Sequence, residues 1–188
     1  MRIGLLGGTF NPPHYGHLIL AQWCQQSLGL DKVVFVPAYI PPHKSVRDNR
    51  ALLRYRMLKL ACNENSLFEV SDIEVRRKEV SYSVYTIQRL RASYGKKAKI
   101  FFLIGADSYN DLHTWKDVKE IRKLASFVAV NRPGYKIKNK KETFQYVKMP
   151  QIDISSSLIR KRVRSGMSIK YLTPDAVIDL ISRYNMYK

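Results

Sequence analysis

Two histidines in the first loop of the chain have the spacing of an anion site. Residues 7–17 read Gly-Gly-Thr-Phe-Asn-Pro-Pro-His-Tyr-Gly-His, between a short apolar run and a helical pattern. Glycine lets a backbone approach a phosphate closely, and a helix N-terminus offers free N–H donors at the positive end of its dipole. His14 and His17, three residues apart at that helix start, would face the same anion. The loop therefore predicts phosphate chemistry, although it is neither a G-x-G-x-x-G nor a Walker loop.

Two other interpretations of this pair stay open. Histidines three apart could bind zinc, but a third ligand is hard to find, since His43 and His113 lie in different loops without a cysteine nearby. The two histidines could also be purely structural. We predict no resident metal.

Candidate nucleoside-binding residues follow the most hydrophobic run of the chain. Gly105 would let the backbone approach a nucleoside, and the Asp107 carboxylate would accept hydrogen bonds from ribose hydroxyls. Trp115, eight residues further on, offers a face for stacking on an aromatic ring, although an isolated tryptophan is more often a core residue.

Two further segments have cations suited to phosphate. Ser155, Ser156 and Arg160 combine a helix start, hydroxyl groups and a guanidinium, which together predict an anion site or else a capped basic helix. Residues 40–44 read Ile-Pro-Pro-His-Lys, a stiff loop that presents Lys44 as a point charge, or an ordinary surface loop.

The elements that must position these residues alternate between strand and helix, which is typical of a parallel sheet. The predicted strands are Ile3–Leu6, Val33–Val36, Phe68–Val75, Lys99–Ile104, Ser126–Val130 and a weaker Gln145–Pro150. The predicted helices are Gly16–Leu28, Ala51–Cys62, Tyr82–Tyr94, Trp115–Ala125, Ser156–Ser165 and Pro174–Tyr184. The second helix shows Leu53, Met57, Leu60 and Ala61 on one face, and Thr173 is expected to cap the last helix.

This order predicts an α/β fold, a doubly wound, Rossmann-like parallel sheet with a small C-terminal helical segment. We expect a single domain over residues 1–188, with the helical part at about 154–188. Such sheets bind ligands at the carboxyl ends of their strands, so the loops after Leu6, Val36, Ile104 and Val130 should contain the site.

These motifs resemble those of the nucleotidyltransferases with a His-x-Gly-His signature, and within them the bacterial nicotinate-nucleotide adenylyltransferases. The resemblance extends through nearly the whole chain. That family has Asp where this chain has Asn11, a Pro-Pro-His-Lys element, an Arg-Pro-Gly turn that matches residues 132–134, and an Ile-Ser-Ser-Thr-x-x-Arg motif. It also has an Arg-x-Gly-Pro-Ser-Tyr-Thr stretch, in which this chain has Glu79, Val80 and Ser83 in place of Gly, Pro and Thr.

The resemblance implies a reaction and a role for each residue. The phosphate of nicotinate mononucleotide would attack the α-phosphorus of ATP, giving nicotinate adenine dinucleotide and pyrophosphate, with Mg²⁺ on the ATP. His14 and His17 would be catalytic. The expected ATP-binding residues are Gly7, Gly8, Thr9, Phe10, Gly105, Asp107, Ser155, Ser156 and Arg160. The expected mononucleotide-binding residues are Lys44, Ser83, Trp115 and Arg132.

Composition limits the alternatives. The 33 Lys and Arg against 15 Asp and Glu give a formal charge of +18, which favours an anionic partner. No RNP or helix-turn-helix pattern accompanies that charge, so a nucleic-acid-binding protein is a weaker alternative, as is a phosphopantetheine-type nucleotidyltransferase. Two unpaired cysteines and the lack of any long apolar run predict a cytoplasmic protein without membrane contact, with a homodimer left open.

Overall fold

The computed structural model describes residues 1–42, 50–131, 133–135, 137 and 144–188. Its centre is a sheet of six strands in the order β3-β2-β1-β4-β5-β6, and every neighbouring pair is parallel. The strands are β1 (Arg2–Gly8), β2 (Lys32–Pro37), β3 (Phe68–Val70), β4 (Lys99–Gly105), β5 (Ser126–Val130) and β6 (Gln145–Val147). This is the strand order of the dinucleotide-binding folds, and it confirms the predicted doubly wound α/β class.

Helices cover both faces of the sheet, so its central strands are apolar on both sides. Alternate residues of β2 show this, since Val34 and Val36 pack in one core cluster while Val33 and Phe35 pack in the other. The helices are α1 (Tyr15–Leu28), α2 (Ala51–Cys62), α3 (Ile73–Arg77), α4 (Ser83–Tyr94), α5 (Ala106–Asn110), α6 (Val118–Leu124), α7 (Ser156–Arg164) and α8 (Asp175–Arg183). Among the described residues no helix combines the length and the apolar character that a membrane span needs.

The two C-terminal helices pack on α2 rather than on the sheet. Met57 and Ala61 of α2 form a third core cluster with Ile159, Val177 and Ile181. The apolar residues of α8 recur at helical spacing, and this cluster buries the face that they form.

Three predicted elements are wrong in part, and one element was not predicted. The strand predicted over Gln145–Pro150 ends at Val147. The strand predicted over Phe68–Val75 ends at Val70, and α3 follows it. The helix predicted over Trp115–Ala125 begins at Val118, because a short 3₁₀ turn over Leu112–Thr114 and an extended Trp115 precede it. The five-residue helix α5 was not predicted. Elements this short contain too few residues to show a period.

Two details of the predicted helices are also wrong. Leu60 is 42% exposed and Leu53 only half-buried, because the buried face of α2 is shifted toward Ala51, Arg54 and Leu58. Thr173 does not cap α8, since its hydroxyl donates to the carbonyl oxygen of Pro13 at 2.8 Å.

Candidate active site

The paired histidines lie where β1 passes into α1. His14 is the N-cap of α1 in an extended backbone conformation, and His17 is the third residue of the helix. Their ring centroids are 3.7 Å apart, with an interplanar angle of 32°. The His17 Nδ1 atom accepts a hydrogen bond from the His14 backbone N–H at 3.2 Å. A neutral His17 ring therefore has its proton on Nε2, which makes that atom a hydrogen-bond donor for a phosphate oxygen.

Close packing fixes the geometry of this pair. A Cβ atom at Gly16 would lie 3.0 Å from His14 Nδ1 and 3.1 Å from His14 Cε1, so an alanine there would require that ring to shift by a few tenths of an ångström. Phe10 packs its edge on His17, with ring centroids 4.9 Å apart. Phe10 is itself only 2% exposed, so any contact between Phe10 and a ligand is through its backbone.

A cavity of about 370 Å³ opens next to the histidines, at the carboxyl ends of the strands. Its lining includes residues from all four loops in which the sequence predicted chemistry. The predicted site residues in this lining are Gly7, Gly8, Thr9, His14, His17, Ser83, Gly105, Asp107 and Trp115. Lys44 and Arg132 lie outside the described residues. The structure thus brings the predicted adenylate and pyridine contacts to one cavity, which is the place that the Rossmann-like topology requires.

The other predicted ATP-binding residues lie beside the first loop rather than in the cavity lining. Ser155 is the N-cap of α7, and its hydroxyl accepts from the Leu158 backbone N–H at 3.2 Å. The Ser156 hydroxyl donates to the Pro12 carbonyl at 2.8 Å. Arg160 donates to the Asn11 carbonyl at 2.8 Å and to the Ser157 hydroxyl at 3.2 Å. The start of α7 therefore holds the backbone of the loop that ends in His14.

Arg54 is a buried residue of the site that the sequence analysis missed. It is 1% exposed, and it donates to the carbonyl oxygens of Thr9 at 2.7 Å and Tyr39 at 3.0 Å. It thereby ties the loop after β1 to the loop after β2. A signal was present in the sequence, because Arg54 stands three residues from both Ala51 and Met57 on the buried face of α2.

Glu74 is a second missed residue, and it belongs to the cavity lining. It is 8% exposed and accepts a hydrogen bond from the Thr86 hydroxyl. Burial raises the pKa of Glu74, while hydrogen bonds from Ser81 and Thr86 and the nearby Arg77 and Arg54 guanidinium groups act in the opposite direction. Burial is the larger effect, so the ionised form is destabilised in the folded protein.

The third missed residue is Lys116, which lines the cavity next to Trp115. The Trp115 ring packs against Phe102, with centroids 5.6 Å apart. Lys116 places its ammonium group over the rings of Tyr82 and Tyr85. A lysine in a polar turn gives no pattern that separates it from surface lysines, so sequence alone offered no signal.

Comparisons of the sequence with a family profile and with known proteins identify the same family. The sequence profile of the cytidylyltransferase-like family matches residues 5–162. A probable nicotinate-nucleotide adenylyltransferase of Exiguobacterium sibiricum is 43% identical over 188 residues, covering 100% of this chain and 99% of the relative. A protein of the same name from Shouchella clausii is 44% identical over 191 residues, covering 99% and 96%.

A solved structure shares the fold at much lower identity. The nicotinic acid mononucleotide adenylyltransferase of Plasmodium falciparum, complexed with NaAD, superposes with a TM-score of 0.82 at 21% identity, over 99% of this chain and 97% of that one.

Proposed function

The chain belongs to the cytidylyltransferase-like family and, within it, to the nicotinate-nucleotide adenylyltransferases, and from that premise we propose how its residues perform the reaction. The enzyme transfers the adenylyl group of ATP to nicotinate mononucleotide, releasing pyrophosphate and forming nicotinate adenine dinucleotide in NAD biosynthesis. The observation that supports the assignment of residues is the stacked His14–His17 pair, which opens on the same cavity as Trp115.

The reaction needs no nucleophile from the protein. An oxygen of the mononucleotide phosphate attacks the α-phosphorus of ATP in line, the bond to the β-phosphate oxygen breaks, and pyrophosphate leaves. Catalysis then consists of positioning and charge stabilisation. His14 and His17 would donate to the α- and β-phosphate oxygens, and the Nε2 proton of His17 suits that role.

The remaining contacts with ATP would come from the first loop, the end of β4 with α5, and the start of α7. The backbone of Gly7, Gly8 and Phe10, together with Thr9, would surround the triphosphate, while Asp107 and Gly105 would bind the ribose. Arg160 uses two donors on the Asn11 carbonyl and Ser157, and a guanidinium has five, so donors remain for a phosphate oxygen. Ser155 and Ser156 would fix the start of α7 in this position.

At the mononucleotide end, Trp115 would stack on the pyridine ring and Ser83 would donate to its carboxylate. Lys44 and Arg132 would bind the mononucleotide phosphate; both roles rest on the family motifs alone.

The family uses a divalent metal ion with ATP, and we propose Mg²⁺. The described residues contain no group of three or more His, Cys, Asp or Glu side chains placed to hold a metal. In many nucleotide sites Mg²⁺ is bound chiefly by phosphate oxygens and water, with only one or two protein ligands, and we propose the same arrangement here. Bound in this way, Mg²⁺ would neutralise charge on the leaving pyrophosphate.

We also propose that residues 1–188 act as one nucleotidyltransferase domain, since the helical part from about 154 to 188 hydrogen-bonds to the first loop and packs on α2. The homodimer, the cytoplasmic location and the absence of nucleic-acid binding stay predictions.

The deciding experiment is an assay of pyrophosphate release from ATP and nicotinate mononucleotide. His17→Ala should lower kcat about a hundredfold or more, because it removes a preorganised donor to the developing charge. His113→Ala is the matched control, since His113 is exposed and its Nδ1 atom lies 3.2 Å from the Asn110 carbonyl oxygen, away from the cavity lining. A loss of less than about tenfold in His17→Ala, or an equal loss in the control, would contradict the assigned role.

A further inference from the structure

A second concave surface lies at the edge of the sheet opposite the histidines. It is a groove of about 560 Å³ at the amino ends of the strands. Its lining includes the first residues of β1, β4, β5 and β6, which are Arg2, Lys99, Ser126 and Gln145. Because β4 is seven residues long, about 20 Å separates this groove from the carboxyl ends of the strands. A ligand in the groove therefore lies outside the cavity of the proposed reaction.

The lining of this groove is strongly basic. Among the described residues of the lining there is no Asp or Glu. Seven of its residues are cationic: Arg2, Arg91, Lys96, Lys97, Lys99, Arg122 and Lys123. A concave surface with one sign of charge raises the local concentration of ligands with the opposite charge. The groove thus has the electrostatic character of an anion site.

Two of the arginines are held in place by neutral partners. The Arg2 guanidinium donates twice to the Leu28 carbonyl oxygen, at 3.0 and 2.9 Å, and lies 4.6 Å from the ring centroid of Phe101. Arg91 donates to the Ala98 carbonyl oxygen. A carbonyl group or an aromatic ring fixes a guanidinium without cancelling its charge. Each guanidinium has five N–H donors, so donors remain for a ligand.

The fold brings like charges together in the groove. Arg2 and Lys99 are directly paired in the register of β1 with β4. Their side chains share one face of the sheet, since Phe101 follows Lys99 by two residues and Arg2 covers its ring. Like charges that face each other across neighbouring strands repel. Lys96 and Lys97, both exposed, add to this repulsion, which a bound anion would relieve.

Negative groups of the described chain offset only part of this charge. Arg91 and Lys123 stand in the last turns of α4 and α6, where a cation commonly offsets the helix dipole. Glu120 pairs with Lys123 at 3.0 Å, and Asp31 accepts from the Arg2 backbone N–H at 2.7 Å. The ends of α1, α4 and α6 contribute about half a negative charge each, so with these two carboxylates roughly half of the positive charge remains.

The lining favours phosphate over other anions. A chain of linked phosphates has a negative charge on every unit, whereas an extended acidic peptide directs alternate side chains to opposite sides and turns half of its carboxylates away. Single-stranded nucleic acid also offers phosphates, but its binding sites usually present aromatic rings for the bases. The one aromatic residue in the described lining, Phe101, is only 4% exposed.

From these observations we propose that the groove is a second anion site, which binds a chain of linked phosphates such as inorganic polyphosphate. The fixed guanidinium groups of Arg2 and Arg91 would bind phosphate oxygens, and the three exposed lysines, at positions 96, 97 and 99, would contribute point charges. The site is separate from the cavity of the proposed reaction, so the inference does not depend on that reaction.

The test measures binding of a short inorganic polyphosphate by calorimetry at several salt concentrations. The groove variant removes three exposed lysines of the lining and combines Lys96→Gln, Lys97→Gln and Lys99→Gln. The control variant removes the same charge at exposed positions outside the groove and the cavity, and combines Lys59→Gln, Lys119→Gln and Lys188→Gln.

We expect the wild type to bind polyphosphate with a steep salt dependence. In the groove variant Kd should rise about tenfold or more, since three ion pairs are lost. The slope of log Kd against log salt should fall by about two, because each phosphate contact contributes about 0.7. The control variant should bind like the wild type, and the groove variant should keep the wild-type KM for ATP and urea midpoint. If the triple substitution prevents folding, Lys96→Gln with Lys97→Gln, which lie outside the strands, should still raise Kd severalfold.

Four results would overturn the proposal. They are no binding of polyphosphate by the wild type, unchanged binding in the groove variant, which would place the ligand on the triphosphate site, an equal loss in the control variant, which would reduce the effect to net charge, and tighter binding of polyuridylate or polyglutamate, which would assign the groove to nucleic acid or to an acidic peptide. Failure of pyrophosphate release in the wild type would contradict the proposed function alone, so the two failures are distinguishable.

Discussion

Gly16→Ala should separate stability from activity. Gly16 is the second residue of α1, and its backbone is not in the left-handed region. An alanine there is therefore allowed by the backbone and favoured in a helix by up to about 1 kcal/mol relative to glycine. Its Cβ atom, however, would lie 3.0 Å from His14 Nδ1 and 3.5 Å from the Ile154 carbonyl oxygen.

The His14 ring must move to relieve that contact. It lies against His17 at a centroid distance of 3.7 Å, so a shift of a few tenths of an ångström changes the geometry of the pair. Misplacement of a catalytic group by 1 Å costs about a hundredfold in rate, so the smaller shift should lower kcat about tenfold. We expect the free energy of unfolding to stay equal or rise slightly.

The assays are urea unfolding and the steady-state rate of pyrophosphate release. If the effect acts through His14, a double-mutant cycle should show it, because Gly16→Ala should cost almost nothing in a His14→Ala background. A wild-type kcat in Gly16→Ala, or a tenfold loss that persists without the His14 ring, would refute the steric argument.

Three further predictions concern buried polar groups. Arg54→Met should lower the free energy of unfolding by about 2–5 kcal/mol, because two partly buried carbonyl oxygens lose their buried donor. Urea unfolding of Arg54→Met and of Arg56→Met, an exposed neighbour on α2, should differ clearly, and similar midpoints would count against it. Burial raises the pKa of the Cys24 and Cys62 thiols to about 12. The thiolate is the reactive form, so a disulfide reagent at about pH 8 should label these thiols only when the protein unfolds. Rapid labelling of the native protein would be inconsistent with their burial. The raised pKa of Glu74 means that the folded state binds this proton more tightly, so wild-type stability falls as pH rises from the ordinary carboxyl range through the raised value. The free energy of unfolding of the wild type, taken relative to that of Glu74→Gln, should therefore be smaller at about pH 7 than at about pH 4, and an equal difference at both would be evidence against it.

The fold could be predicted from the sequence because its central strands are apolar runs of five to seven residues, several of them bounded by glycine or proline. Ser126–Val130 has the predicted bounds. β1 and β2 extend their predicted runs by one or two residues at both ends, and β4 by one residue at its carboxyl end. The errors fall where an element is too short to show a period, as with α3 and α5. Propensity alone cannot decide such segments, because tertiary contacts outweigh it.

The residues of the site also divide into those that the sequence could predict and those that it could not. His14, His17, Thr9 and Trp115 were predicted because their residue types follow strand ends, and the structure brings them to one cavity. Arg54 was missed because its hydrogen bonds join it to partners that are distant in the sequence. Lys116 was missed because no local pattern places its side chain in the cavity lining. Arg54, for example, acts on a carbonyl 45 residues away, which no local pattern encodes.

The C-terminal helices show why the histidine motif alone does not make the site. The backbone that leads into His14 has three carbonyl groups that accept from the far end of the chain: Asn11 from Arg160, Pro12 from Ser156 and Pro13 from Thr173. Two of these residues are prolines, which have no N–H, so the loop itself contains fewer donors that could bond to these carbonyl groups. The side chains predicted to bind phosphate at α7 thus also hold the loop that presents the histidines. Because one helix start performs both tasks, substitution of Ser156 or Arg160 should affect His14 geometry as well as ATP affinity, and kcat and KM should change together.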